Sequence, residues 1–114
     1  MKIDIELKMP VLSNKIGGYS GKAIKPVGIR CVYEISKNVS IPVIGVGGIT
    51  TGEDAIEYFM AGASAVEIGS GVYYRDIDIF KIICDEIEEW MIEHEYKDLS
   101  DIIGVAHLWI IQKS

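Results

Sequence analysis

The chain has 114 residues, 49% of them apolar and 25% charged, which is a globular composition and not a disordered one. This length holds one domain at most. The net charge of −6 argues against non-specific nucleic-acid binding, although residues 1–40 carry a balance of +4 and residues 41–114 a balance of −10. The longest uncharged run, Asn38 to Gly52, has 15 residues and is interrupted by Pro42, Gly45, Gly47 and Gly48. A membrane-spanning helix needs about 20 apolar residues, so no span is expected. The N-terminus alternates polar and apolar residues and lacks the apolar core of a signal peptide, so a cytoplasmic protein is expected. Mean hydropathy is +0.25, high for so short a chain, so part of the apolar surface is expected to face a partner.

In chain order, Ile3–Leu7 and Val11–Asn14 read as short extended pieces around Pro10, followed by a glycine-rich loop over residues 15–22. A helix is expected from about Ala23 to Lys37, with Ile24, Val27, Cys31 and Ile35 on its apolar face. Pro26 is compatible only with its first turn. The apolar run 42–46 predicts a strand buried on both faces, as in parallel sheets. After Gly47-Gly48, Thr50 and Glu53 fit a capping box for a helix that Gly62 ends. Ala65–Ile68 reads as a second buried strand, ended by Gly69-Ser70-Gly71. A turn over Val72–Arg75 leads to Asp78 as an N-cap. The stripe Ile79, Phe80, Ile83, Cys84, Ile87, Trp90 and Met91 then marks a strongly amphipathic helix. A last short helix covers about Leu99–Ile103, and the tail from Val105 has no clear pattern. Strands alternating with helices imply an α/β fold with parallel pairing.

Several eye-catching residues have ordinary structural explanations. Cys31 and Cys84 lie outside any metal or CxxC spacing and are expected as buried free thiols. His94 and His107, 13 residues apart, are expected at the surface or in packing. Asp85, Glu86, Glu88 and Glu89 read as a solvated helix face. Trp90, Trp109 and the pair Tyr73-Tyr74 read as packing residues.

The chemistry is expected at the glycines. Both predicted strands end in small residues and lead into helices, where glycine permits close ligand approach and helix N-termini add unpaired donors. Adjacent parallel strands would set Gly47-Gly48 beside Gly69-Ser70 as a cradle for one phosphate. Gly48 is expected to need its missing side chain for that approach.

The residues then become specific. Ile41-Pro42-Val43-Ile44-Gly45-Val46-Gly47-Gly48-Ile49, Asp54-Ala55 and Ala61-Gly62-Ala63-Ser64-Ala65-Val66-Glu67-Ile68-Gly69-Ser70 resemble the end of a flavin- or phosphate-binding (β/α)8 TIM barrel. Lys8 to Pro26, with Gly17-Gly18-Tyr19-Ser20-Gly21 at its centre, closely resembles dihydroorotate dehydrogenase, best its class 1B catalytic subunit. Leu99 to Gly104 suits the same family, and the resemblance covers roughly residues 3–108. It departs at Lys22, where family members often have proline.

The resemblance implies oxidation of dihydroorotate to orotate in pyrimidine biosynthesis, with FMN as cofactor and an iron–sulfur flavoprotein subunit as electron-transfer partner. It implies that Gly21 approaches the flavin, and that Gly47, Gly48, Gly69 and Ser70 hold the FMN phosphate. The family's catalytic cysteine, flavin-contacting lysines and orotate-gripping asparagines have no counterpart in residues 1–114. Cys31 and Cys84 do not replace the first, so no catalytic residue is assigned. A whole barrel takes about 250 residues. The chain is therefore expected to be a single segment, residues 1–114, holding the C-terminal portion of the barrel: strands 7 and 8 with their helices and an extended preamble. Activity would need the missing barrel segment. Self-association, a standalone phosphate- or flavin-binding module, and an inactive truncated remnant remain open alternatives.

Overall fold

The computed structural model describes the backbone of residues 1–113 and the side chains of residues 1–109. Two short strands, β1 (Ile3–Asp4) and β2 (Met9–Pro10), form an antiparallel hairpin with Ile3 opposite Pro10. The second extended piece thus comes earlier than Val11–Asn14. The reason is local: Asp4 Oδ1 accepts the amides of Glu6 and Leu7, and Lys8 takes a left-handed φ of 55°, which turns the chain at once. Pro10 costs no ladder bond, because Val11 N donates to Lys2 O instead. Within residues 1–20 only Asp4 and Pro10 are half-buried.

A 310 turn at Lys22–Ile24 leads into α1 (Lys25–Ser36), with Pro26 in the first turn as expected. The helix turns a different face inward from the one the stripe predicts. Val32 is buried, with Ile29 and Tyr33 packed beside it, whereas Val27, Cys31 and Ile35 are exposed. The apolar surface of α1 is wider than the one sheet and helix beneath it can cover.

β3 (Ile44–Val46) and β4 (Ala65–Glu67) pair in parallel, with Ile44 beside Ala65 and Val46 beside Glu67. Neither strand is buried on both faces. Gly45 and Val66 turn toward the helices, while Ile44, Val46, Ala65 and Glu67 are exposed on the opposite face. A two-stranded sheet with helices on one side leaves the other side bare.

α2 (Gly52–Met60) carries a capping box one residue later than predicted, made by Thr51 and Asp54. Thr51 Oγ1 accepts the amide of Asp54, and Asp54 Oδ2 accepts the amides of Thr50 and Thr51 and the Thr50 hydroxyl. With Thr51 at the N-cap, Asp54 is the residue three positions on that reaches back. Gly62, at φ 113°, closes the helix.

The turn at Val72–Arg75 is a short helix, α3 (Gly71–Arg75). It precedes α4 (Ile79–Glu93), where Asp78 holds the N-cap position but makes no side-chain cap bond. α4 packs on α2 through Ile79 and Ile83, both buried, while Phe80 and Cys84 face out, so both cysteines are free and exposed. The core gathers around Ile56, Tyr58, Phe59, Ile79, Ile83 and Ile102. 310 turns at Leu99–Asp101 and Val105–Lys113 complete the chain, separated by Gly104 at φ 76°. Both histidines pack as expected: His107 stacks on Tyr33 and His94 on Trp90. Trp109, Tyr73 and Tyr74, expected in packing, are all more than half exposed. Ser114, at the end of the unassigned tail, lies outside the described residues. Among the described residues no helix is long and apolar enough to cross a membrane.

Candidate functional site

All five glycine-turn residues predicted to bind a ligand meet at one place. Gly21, Gly47, Gly48, Gly69 and Ser70 line a cavity of about 150 Å³ at the ends of β3 and β4, together with Ser20, Val46 and Glu67. Three segments are in contact there. A methyl group on Gly48 would lie 3.0 Å from Gly21 O, and one on Gly71 would lie 2.5 Å from Ile49 O. The parallel register of β3 and β4 brings the two turns together, as the strand–glycine–helix pattern predicts.

The first turn is held from behind by a residue the sequence did not single out. Tyr58 on α2 is fully buried, and its hydroxyl donates to Gly47 O at 2.8 Å and lies 3.3 Å from Val46 O. Burial is the main cause that pushes its phenol above the ordinary value. Its ring fills the space where side chains of Gly28 and Gly45 would stand: added methyl groups would lie 2.1 Å from the hydroxyl oxygen and 2.5 Å from Cδ1. A glycine inside a helix and another inside a strand were the legible signals, since each marks a close approach. Gly47 and Gly48 then take φ values of 128° and 71°, which a side chain would strain.

The donors differ from the expectation. The first turn of α2 is occupied by protein acceptors: Gly52 N donates to Glu86 Oε2 at 2.6 Å, and Asp54 N to Thr51 Oγ1. With Glu53, Asp54 and Glu86 around it, this helix N-terminus is not available to an anion. The Arg75 guanidinium binds Thr50 O at 3.0 Å and Glu86 at 2.8 Å, tying α3 to α2 and α4. It holds the Glu86 carboxyl below its ordinary value, against a smaller opposing effect of burial. Glu86 is therefore a structural partner and no part of a freely solvated face. Among the described residues none accepts a hydrogen bond from the amides of Gly48, Gly69 or Ser70. These three amides are among the donors the cavity offers.

Space is distributed unevenly along the cradle. The side-chain position of Gly48 is filled by Lys25, whose Cβ would be 2.8 Å from an added methyl, so its missing side chain serves the protein's own packing. A methyl group placed on Gly69 would have no non-neighbouring atom within 4 Å, and the φ of Gly69 is not left-handed. Open space over an unengaged amide suits a phosphate, so the residues present fit the group. Glu67 is the one acidic residue in the lining. It was visible as the only charge in the second strand.

A parallel βα–βα unit with a glycine-lined cavity at the carboxyl ends of its strands is the arrangement of part of an α/β barrel. Comparison with known proteins agrees. The dihydroorotate dehydrogenase family model matches residues 1–91, and the chain belongs to that family. It is 61% identical over 107 residues to a dihydroorotate dehydrogenase B (NAD(+)) catalytic subunit of Methanocaldococcus jannaschii, covering 94% of this chain and 35% of that protein. A subunit of the same name from Pyrococcus horikoshii is 52% identical over 91% of this chain and 34% of its own length. A ligand-free dihydroorotate dehydrogenase crystal structure from Eimeria tenella superposes with a TM-score of 0.76 at 33% identity, over 84% of this chain and 28% of that one. The chain thus spans about a third of the length of these relatives. It corresponds to a C-terminal portion of the barrel, with no closed barrel of its own.

Proposed function

We propose that residues 1–114 form the FMN-phosphate-binding segment of a dihydroorotate dehydrogenase catalytic subunit. The carrying observation is the one cavity lined by Gly21, Gly47, Gly48, Gly69 and Ser70, where no described residue accepts from the amides of Gly48, Gly69 and Ser70. The amides of Gly48, Gly69 and Ser70 would hold the phosphate, and Gly21 would border the flavin side. Bound FMN would supply two-electron acceptance of hydride from dihydroorotate. The chain's own residues bind and orient; none is assigned to proton transfer. Turnover requires the complementary part of the barrel. The relatives' description as catalytic subunits supports a further partner, for which we propose an iron–sulfur flavoprotein. Two free, widely spaced cysteines fit the reducing cytoplasm.

The test is titration of the purified chain with FMN, followed by flavin fluorescence, with dihydroorotate oxidation assayed alone and with a supplied complementary segment. Saturable FMN binding without turnover by the chain alone is the expected outcome. No flavin binding at millimolar FMN by a folded chain would overturn the proposal.

A further inference from the structure

The donors of the cradle come from two different units. Gly48 lies in the turn after β3, whereas Gly69 and Ser70 lead from β4 into α3. The register of the two strands ends at Val46 beside Glu67, so past that pair the ladder no longer sets the distance between the turns. α3 has five residues, too few to hold its place by its own hydrogen bonds. Its position is set by what it touches. At its start Gly71 packs on the turn after β3, where a methyl group would lie 2.5 Å from Ile49 O. At its end stands Arg75. Its Nη1 donates to Thr50 O at 3.0 Å, two residues beyond Gly48, and its Nη2 pairs with Glu86 Oε1 at 2.8 Å. The other Glu86 oxygen accepts from Gly52 N at 2.6 Å. One guanidinium and one carboxylate thus close a ring of bonds through α3, the turn after β3 and α4.

A planar fork suits this place. Arginine offers N–H groups to two acceptors at once in a fixed geometry, which a lysine ammonium does not. The two side chains are half-buried, where charge-assisted bonds are screened less than on an open surface. Neither residue lines the cavity, so their effect on a ligand there is exerted through the two turns. Every partner belongs to this chain, so the ring of bonds is complete without the rest of the barrel. We infer that Arg75 and Glu86 are positioning residues of the cradle. They fix the gap between the Gly48 turn and the Gly69-Ser70 turn, so that amides of both units meet one phosphate without rearrangement. This rests on the flavin-nucleotide proposal above and adds that the cradle is set from outside the cavity.

The experiment is a double-mutant cycle on the full chain, read by FMN titration with flavin fluorescence, in wild type, Arg75→Met, Gly69→Ala and the double variant. Arg75→Met is expected to weaken FMN about tenfold, because the Gly69 and Ser70 amides are no longer held against the Gly48 turn. Gly69→Ala covers one of those amides, so the two changes remove a shared contact. The double variant is expected to lose far less than the product of two tenfold effects, which is about a hundredfold. A merely structural role of Arg75 would act independently of Gly69 and give that full product, which would overturn the inference. Unchanged FMN affinity in either single variant would overturn it too, and each of these results leaves FMN binding by the chain standing. Where Arg75→Met loses the wild-type circular dichroism, Glu86→Gln takes its place in the cycle, and the same results decide. Absence of FMN binding in the wild type would overturn the flavin proposal and the inference with it.

Discussion

At the scale of single residues, the glycines of the two turns do different work. Gly48 has φ 71°, and a methyl group there would press on Lys25 and on Gly21 O at 2.8 and 3.0 Å. Gly48→Ala should therefore destabilise the fold by about 1–3 kcal/mol, and any loss of ligand would be inseparable from that damage. A side chain on Gly69 would meet open space, and its φ is ordinary. Gly69→Ala should leave the thermal midpoint within about 2 °C of wild type, yet weaken FMN about tenfold by covering its amide. Paired melting curves and FMN titrations separate the two cases. A Gly69→Ala chain that binds FMN as wild type does would remove this amide from the cradle. Adjacent small residues look alike in a sequence. Only the neighbours across the fold, Lys25 on one side and empty space on the other, tell them apart.

Among the elements, the start of α2 concentrates the electrostatics. Asp54 accepts from Thr50, Thr51 and Lys25. Burial alone would raise its carboxyl, but the Lys25 ammonium and the Thr50 donors outweigh that and hold it at about 2. Burial likewise works against the Lys25 ammonium, and its bonds to Asp54 and Glu57 overcome that and raise it. A carboxyl depressed from 3.8 to about 2 contributes stability that is complete above the unfolded value and is lost as pH falls through the folded one. The amount is on the order of 2 kcal/mol, since each unit is worth about 1.4 kcal/mol. Thermal unfolding between pH 6 and pH 2 should show this loss mainly below pH 4, and Asp54→Asn should flatten it. An equal acid sensitivity in that variant would refute the assignment. These elements were legible in outline. The parallel strands, the helix at Pro26, the stop at Gly62 and the long amphipathic α4 all follow from local pattern. What failed depended on the count of neighbours. Val27, Cys31 and Ile35 sit at helical spacing but face out, because another side of α1 meets the sheet. The capping box shifted by one residue, from Thr50 and Glu53 to Thr51 and Asp54, because Thr51 holds the N-cap. The meeting of Gly21, Gly47, Gly48, Gly69 and Ser70 was legible because strand register is set by pattern, whereas Tyr58 reaches across segments that only the fold brings together.

For the molecule as a whole, the uncovered surface is the dominant fact. The bare face of the sheet shows Ile44 and Val46 at 53% and 50% exposure, where a complete barrel would have its interior. Beyond the edge of β4, Phe59, Val66, Ile68, Phe80, Met91 and Ile92 line an apolar groove of about 630 Å³. Neither strand has a second neighbour among the described residues, and open strand edges recruit further strands. A chain of net charge −6 repels its copies at long range, but salt screens that repulsion within about 10 Å at 0.1 M, while apolar burial is little affected. In isolation the chain should therefore self-associate, and light scattering coupled to size exclusion should give a mass above 12.6 kDa at micromolar concentration. Raising the salt should maintain or increase that mass, because the attraction is apolar and the repulsion is charged. Supplying the complementary barrel segment should compete with self-association for the same bare surfaces and yield a defined heteromeric complex in its place. A well-folded 12.6 kDa monomer, stable in dilute low-salt buffer without a partner, would show that these faces need no cover.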